Sequence, residues 1–323
     1  MFDIKNHHAY FDVLSPYPGA RVVADLLSPL SGSQNFDLES ELRELAQDRD
    51  DRLRQHFKHV PPYLRDLLWR SSYSYVPTPG TYTQLVRRLL AEHHVLFLTL
   101  NYDSLLEQAL ASFDPKFDFS NIESYVREDR QAKVVKLHGS INWFKLIGGS
   151  DQSWEDLVRS QDVFQKTPDG NIYIYDTPGP LMSVLITGNR PYPILTAPLA
   201  GKGMADMVCP STHIQAARDF LKDCRKFLMI GTSGLDRDLL GLLDECLQPW
   251  VHPTIQLVGG PDGEEALQRF ERGVKAFRRR RITPPGFLLT NKFRQYVDSG
   301  ELERFAAFGV AQTGSPKLAP RQL

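Results

Sequence analysis

The chain has 323 residues, of which 41% are hydrophobic and 24% charged, and its formal net charge is −1. That is the make-up of an ordinary globular protein with room for one large domain or two, and the balanced charge removes any global electrostatic case for nucleic acid or membrane as a partner. The three cysteines, Cys209, Cys224 and Cys246, include no C-x-x-C pair, which argues against a zinc ribbon or a disulfide framework and suits a reducing cytosol.

The amino terminus lacks the basic-then-apolar pattern of a signal peptide, and no apolar run is long enough to cross a bilayer, so a cytoplasmic location is expected. Ser15-Pro16-Tyr17-Pro18-Gly19 is a turn signal, followed by a short helix over 20–27 with Val22, Val23, Leu26 and Leu27 on one side. Asp37 caps a second helix carrying Leu38, Leu42 and Leu45, and more helix is expected around 63–69 and 82–91. Val95-Leu96-Phe97-Leu98-Thr99 reads as a strand buried on both faces of a parallel sheet. Asp103 caps the helix after it, over 103–112, and 114–118 is a loop.

A second strand over 134–140 ends in a turn at His138-Gly139-Ser140. Residues 148–170 read as a polar loop insertion, 172–175 alternate like a strand, and 191–198 are proline-rich. Helix 214–224, strand 227–230, helix 239–247 ended by Pro249, strand 254–258 and helix 263–277 then follow one another. Such alternation predicts an α/β domain with a doubly wound, mainly parallel sheet. The run Arg278-Arg279-Arg280-Arg281 reads as a solvated helix end favoured by the helix dipole, and 313–323 as a loose tail.

Three buried runs stop at polar residues: Asn101 and Asp103, His138, and Thr232 and Ser233 beside Gly231. In a doubly wound sheet these ends gather at one crevice, where ligands bind. Asn101 could fix a ribose hydroxyl or a water, His138 could serve as a base near neutral pH, and Gly231 lets the backbone approach a nucleotide. Each has a plainer reading. Asp103 could be only a helix cap, Asn101 the closure of an Asx-turn, His138 a satisfied buried histidine, and 231–234 an ordinary loop. The paired histidines elsewhere have no ligand spacing, so no metal site is expected.

Taken together, Thr99-Leu100-Asn101-Tyr102-Asp103-Ser104-Leu105-Leu106-Glu107 resembles the T-x-N-Y-D-x-L-L-E segment of the SIR2-like (sirtuin-related) domains of prokaryotic NAD-consuming defence proteins. Lys136-Leu137-His138-Gly139-Ser140-Ile141-Asn142-Trp143 resembles the family's K-L-H-G-S-x-x-W, and Ile230 to Asp238 resembles its I-G-x-S-x-x-D-x-D loop. The resemblance implies a Rossmann-like NAD-binding domain over 1–312 with a helical insertion at about 36–93. It implies that His138 is the base, that Asn101 orients water or ribose, and that Asp103 supports the nicotinamide end or its own loop. Thr99, Gly231, Thr232, Ser233 and Gly259 fall at cofactor-binding positions. The implied activity is NAD hydrolysis to nicotinamide and ADP-ribose, with NAD as substrate and no zinc, in antiviral defence. Nicotinamide leaves a cationic ring as a neutral molecule, so the chemistry needs a pocket for an oxocarbenium-like ribose and a base for the acceptor rather than a strong acid.

Deacylase sirtuins usually carry a four-cysteine zinc module between these segments, and this chain has no such module, which disfavours an acyl-lysine acceptor. The family also opens with a glycine-rich G-A-G-x-S turn, yet the residues from His8 to Pro16 contain no glycine. Such glycines let a backbone approach a pyrophosphate. Their absence leaves open a chain that begins late, or a binding or scaffold module without turnover. Expected partners are NAD or ADP-ribose, with no direct contact to nucleic acid or membrane; a trigger would come from self-assembly or a separate sensor protein.

Overall fold

A computed structural model of the chain describes residues 14–27, 41–42, 44, 51–74, 80–161, 171–176, 179–196, 208–248, 250, 252–279, 281–282, 288–289 and 292–307. Helices α1 (Pro18–Leu27), α2 (Asp51–Phe57), α3 (Val60–Ser74) and α4 (Gly80–Leu90) precede the first strand, β1 (Val95–Thr99). Helix α5 (Leu105–Phe113), β2 (Ala132–Lys136) and β3 (Gly139–Gly149) follow. Then come α6 (Trp154–Arg159), β4 (Tyr173–Ile174) and β5 (Asn189–Leu195). The last part holds α7 (Ser211–Asp223), β6 (Lys226–Ile230), α8 (Arg237–Cys246), β7 (Thr254–Val258) and α9 (Gly263–Gly273). It ends with β8 (Arg281–Ile282), β9 (Leu288–Leu289), α10 (Phe293–Asp298) and α11 (Glu301–Ala307).

The fold is α/β, but the described strands form three sheets. β1 and β2 pair in parallel, β6 pairs in parallel with β7, and β7 in turn pairs with β8 and β9. The third sheet is antiparallel, in the order β4-β3-β5. Side chains of the two parallel sheets nevertheless share layers. Leu96 and Leu98 of β1 pack into the same cluster as Ile255 and Leu257 of β7, beneath α7 and α8. On the other face Val95 and Phe97 pack with Leu228, Ile230 and Val258 against α4 and α10.

Several expectations are corrected. The strand that ends at Lys136 is followed after two residues by the eleven-residue β3, which the sequence reading took for a turn. The stretch 148–170 is not simply a loop: it holds the end of β3 and helix α6, capped by Ser153, whose side chain accepts from the Asp156 N–H. The proline-rich stretch is strand β5; Pro191 and Pro193 are tolerated because β5 lies on the edge of its sheet, where a missing donor breaks no ladder. The helix expected over 263–277 stops at Gly273 and continues as a turn of 3-10 helix over Lys275–Arg279. The helix after β1 begins at Leu105 rather than Asp103. β1 itself is half-exposed along its whole length, where it lines a cavity of about 740 Å³, whereas β2 and β7 are buried throughout. The cap at Asp37, the helix stop at Pro249, Arg280 and the tail 313–323 lie outside the described residues.

The helices before β1 are tied to the antiparallel sheet by a buried cation. Arg65 of α3 is 1% exposed; it donates from Nε to the Ile141 carbonyl (3.2 Å) and from Nη1 to Asp66 Oδ1 (2.8 Å) and the Gly179 carbonyl (2.9 Å). Asp66 also accepts from the Tyr17 hydroxyl and the Leu181 N–H, and burial pushes its carboxyl above the ordinary carboxylate range despite these donors. A buried charge persists only when its donors or acceptors are met in this way.

Candidate functional site

The loop from Asn101 to Asp103 leaves the carboxyl end of β1 and is held from below. Lys136, the last residue of β2, is fully buried; its ammonium donates to Glu107 Oε1 at 2.9 Å and to the carbonyl of Asp103. The Tyr102 carbonyl accepts from the Ser140 hydroxyl (3.1 Å) and the Ile141 N–H (3.0 Å), and the Tyr102 hydroxyl donates to the Thr196 carbonyl (2.7 Å). Lys136 and Glu107 therefore explain two positions of the recognisable segments whose role the sequence alone left unassigned. The cation satisfies loop carbonyls that no strand partner reaches, and the carboxylate neutralises the cation.

His138 follows Leu137, whose N–H donates to the Thr99 carbonyl, so the two strand ends remain joined. Gly139 sits at φ +81°, and a Cβ there would overlap the Ile194 carbonyl; only glycine lets the chain turn from β2 straight into β3 while holding His138 at the bend. The imidazole Nε2 lies 2.6 Å from Asp236 Oδ2. Asp236 is also the N-cap of α8, its Oδ1 accepting from the Leu239 N–H at 2.8 Å. One carboxylate thus closes the loop after β6 and grips the histidine. An acceptor at Nε2 places the ring proton there and leaves the Nδ1 lone pair as the basic site. That Nδ1 is buried and has no hydrogen-bond partner among the described residues, and the residue as a whole is 8% exposed.

The loop between β6 and α8 turns at Gly231, φ +63°, where a Cβ would meet open space, and again at Gly234, φ +69°, where it would meet the Ala266 carbonyl. The Thr232 hydroxyl accepts from the Gly234 N–H at 3.4 Å, and the Ser233 carbonyl accepts from Arg269 at 3.0 Å. Across a cavity of about 230 Å³ from Gly231 and Thr232 stand Thr99 and Asn101. Thr99 Oγ1 accepts from the Asn101 N–H at 3.1 Å. Tyr82 of α4 lines the neighbouring larger cavity together with Asn101, and burial and the nearby Asp103 charge push its hydroxyl above the ordinary phenol range.

The candidate residues thus fall into two neighbouring groups. Thr99, Asn101, Gly231 and Thr232 share one cavity. His138 shares the 231–236 loop through Asp236, and no hydrogen bond joins it to Asn101 among the described residues. Asp103 takes the plainer role, its Oδ1 accepting from the Leu105 N–H at 3.0 Å at the start of α5. Gly259 lies just past β7, packed close to Leu257 and Gly263 and away from this cavity's lining. Asp236 was overlooked; the signal was a carboxylate just ahead of a helix, which has a second oxygen to spare once the first has capped. His138, Asp236 and Asp238 also present ligand-type atoms within 4.8 Å of one another, and the His138–Asp236 hydrogen bond uses two of these.

A family model of the SIR2-like domain matches residues 95–272, more than half of the chain, a span that takes in all three loops. No curated protein matches the chain.

Proposed function

The chain belongs to the SIR2-like domain family, and from that premise we propose that it is an NAD+ hydrolase. Family membership carries NAD-related chemistry; the observation that supports turnover is the imidazole of His138, oriented by Asp236 of the loop whose Gly231 and Thr232 face Asn101 across the cavity. In this reading the two parallel sheets act as halves of one doubly wound, Rossmann-like sheet, and NAD is the substrate. Gly231, Thr232 and Ser233 offer an exposed, tightly turned backbone to the dinucleotide, and the open space at the Gly231 α-carbon suits close approach. Asn101 orients the ribose or the attacking water. Water adds to the nicotinamide-bearing carbon as the C–N bond breaks. Nicotinamide departs with the bonding pair, and the proton lost by water passes to Nδ1 of His138. The products are nicotinamide and ADP-ribose.

A second reading, a module that holds NAD or ADP-ribose without turning it over, is favoured by one observation: Nδ1 of His138 is enclosed. Nicotinamide release from NAD by the purified chain separates the two. Turnover abolished by His138→Ala and by Asn101→Ala supports the hydrolase; ADP-ribose binding in calorimetry without nicotinamide release supports the module. An acyl-peptide included with NAD tests the deacylase alternative.

A role in antiviral defence, inside the cytoplasm and released by self-assembly or by a separate trigger protein, extends the same reading. None of the described helices is long and apolar enough to cross a membrane. Phage challenge of cells expressing the chain or its His138→Ala variant tests that role; equal survival would overturn it.

A further inference from the structure

Asn101 and His138 stand on different loops, and no hydrogen bond joins them among the described residues. Two groups that act on one bond need a fixed separation, since a misplacement of about 1 Å can cost about a hundredfold in rate. The residue beside Asn101 supplies a link. Leu100 packs into the cluster beneath α7 and α8, whereas Tyr102 packs into a different one, built by α1, α3 and the antiparallel sheet. Asn101 between them is exposed and lines the smaller cavity.

Tyr102 reaches the His138 turn at two points. Its carbonyl accepts from the Ser140 hydroxyl (3.1 Å) and the Ile141 N–H (3.0 Å), just past His138. Its hydroxyl donates to the Thr196 carbonyl (2.7 Å), and the Thr196 N–H donates to the carbonyl of His138 itself (3.0 Å). Thr196 continues β5, which pairs with the start of β3 at Leu195 and Gly139. The Leu137 N–H closes the circuit on the Thr99 carbonyl at 3.2 Å, just ahead of Asn101. The rings of Tyr102 and His138 lie 6.5 Å apart, tilted by 39°. The links made by the N–H groups of Leu137, Ile141 and Thr196 are main chain to main chain and do not depend on side-chain type. The phenol hydroxyl does, and phenylalanine would fill the same apolar volume without it.

We propose that Tyr102 is a positioning residue that locks Asn101 and His138 into one unit. This rests on the hydrolase reading, in which Asn101 orients water or ribose and His138 takes the proton. In this role the phenol neither meets the substrate nor exchanges a proton. It pins the end of β5 to the loop after β1, and that strand end holds the carbonyl of His138. With the hydroxyl gone, the ring and carbonyl contacts of residue 102 stay, but the His138 turn moves independently of Asn101. Asp236 orients the imidazole, and Tyr102 sets how far that imidazole stands from Asn101.

Tyr192→Phe is the matched control for Tyr102→Phe. The Tyr192 hydroxyl donates to the Lys58 carbonyl at 2.9 Å, and its ring belongs to the same apolar cluster. Both variants should lose similar stability in urea. Tyr102→Phe alone should lower kcat for nicotinamide release, about tenfold with KM changed by less than about twofold. A wild-type kcat in Tyr102→Phe, or an equal loss in Tyr192→Phe, overturns the proposal. A second readout needs no turnover. In the full chain labelled with carbon-13 histidine, Asn101→Ala should shift the Cε1–H resonance of His138, identified by its loss in His138→Gln. That shift should shrink by about half or more in a Tyr102→Phe background. An unchanged shift in that background, or no shift in either, overturns the proposal. A wild-type chain that releases no nicotinamide sinks the hydrolase reading instead, and the resonances then decide the link by themselves.

Discussion

Asp236 carries two duties on one carboxylate, and substitution can separate them. Asparagine caps a helix about as well as aspartate, so Asp236→Asn should leave stability within about 0.5 kcal/mol. It no longer offers His138 an ionised acceptor, and nicotinamide release should fall about a hundredfold with KM little changed. Asp236→Ala should show the same kinetic loss and, in addition, cost about 1 kcal/mol in urea unfolding. Equal turnover by wild type and Asp236→Asn would mean that the 2.6 Å contact is structural only. The Lys136–Glu107 pair makes a different demand. Lys136 is fully buried and Glu107 nearly so. Lys136→Met leaves a buried carboxylate alone and should cost about 3–5 kcal/mol, whereas Lys136→Met with Glu107→Leu should recover much of that in the same unfolding experiment. A double variant as unstable as the single one would place the cost in the lost Asp103 carbonyl contact instead.

At the scale of elements, the turn between α2 and α3 contains a testable titration. His59 is 2% exposed, and burial pushes its imidazole below the ordinary value of 6.5. The unfolded chain therefore takes up a proton that the folded site resists. Its contribution to stability is full above about pH 6.5 and declines as pH falls toward the lower folded value. The melting temperature should drop between pH 7 and pH 5.5, and drop less in His59→Gln; parallel slopes for the two proteins would exclude His59 as the source. The same elements show what a sequence does and does not disclose. β1, β6 and β7 are legible because each is a continuous apolar run between polar residues. β5 is hidden because Pro191 and Pro193 argue locally against a strand, and only its edge position makes them harmless. β3 is hidden because Gly139 reads as the close of a turn, while its positive φ in fact starts the strand. The loops of the candidate site are legible as strand ends. The His138–Asp236 contact is not, because it joins residues 98 apart in the chain.

Among the described residues, the parallel strands are divided between two sheets that share both apolar layers but no ladder. The half-exposure of β1 is a property of this arrangement and not of its sequence, which is as apolar as that of a fully enclosed strand. One carbonyl links the halves at their base: Ala306 receives both His93, which lies 213 positions earlier, and Lys226. Contacts closed over such a separation form late, because the entropy of the intervening loop must first be overcome. During synthesis, the β1 half leaves the ribosome long before its clasp exists. Its two-stranded sheet must wait, unclasped, for α11 to emerge, and this interval is when the chain is most open to wrong pairings and to chaperones.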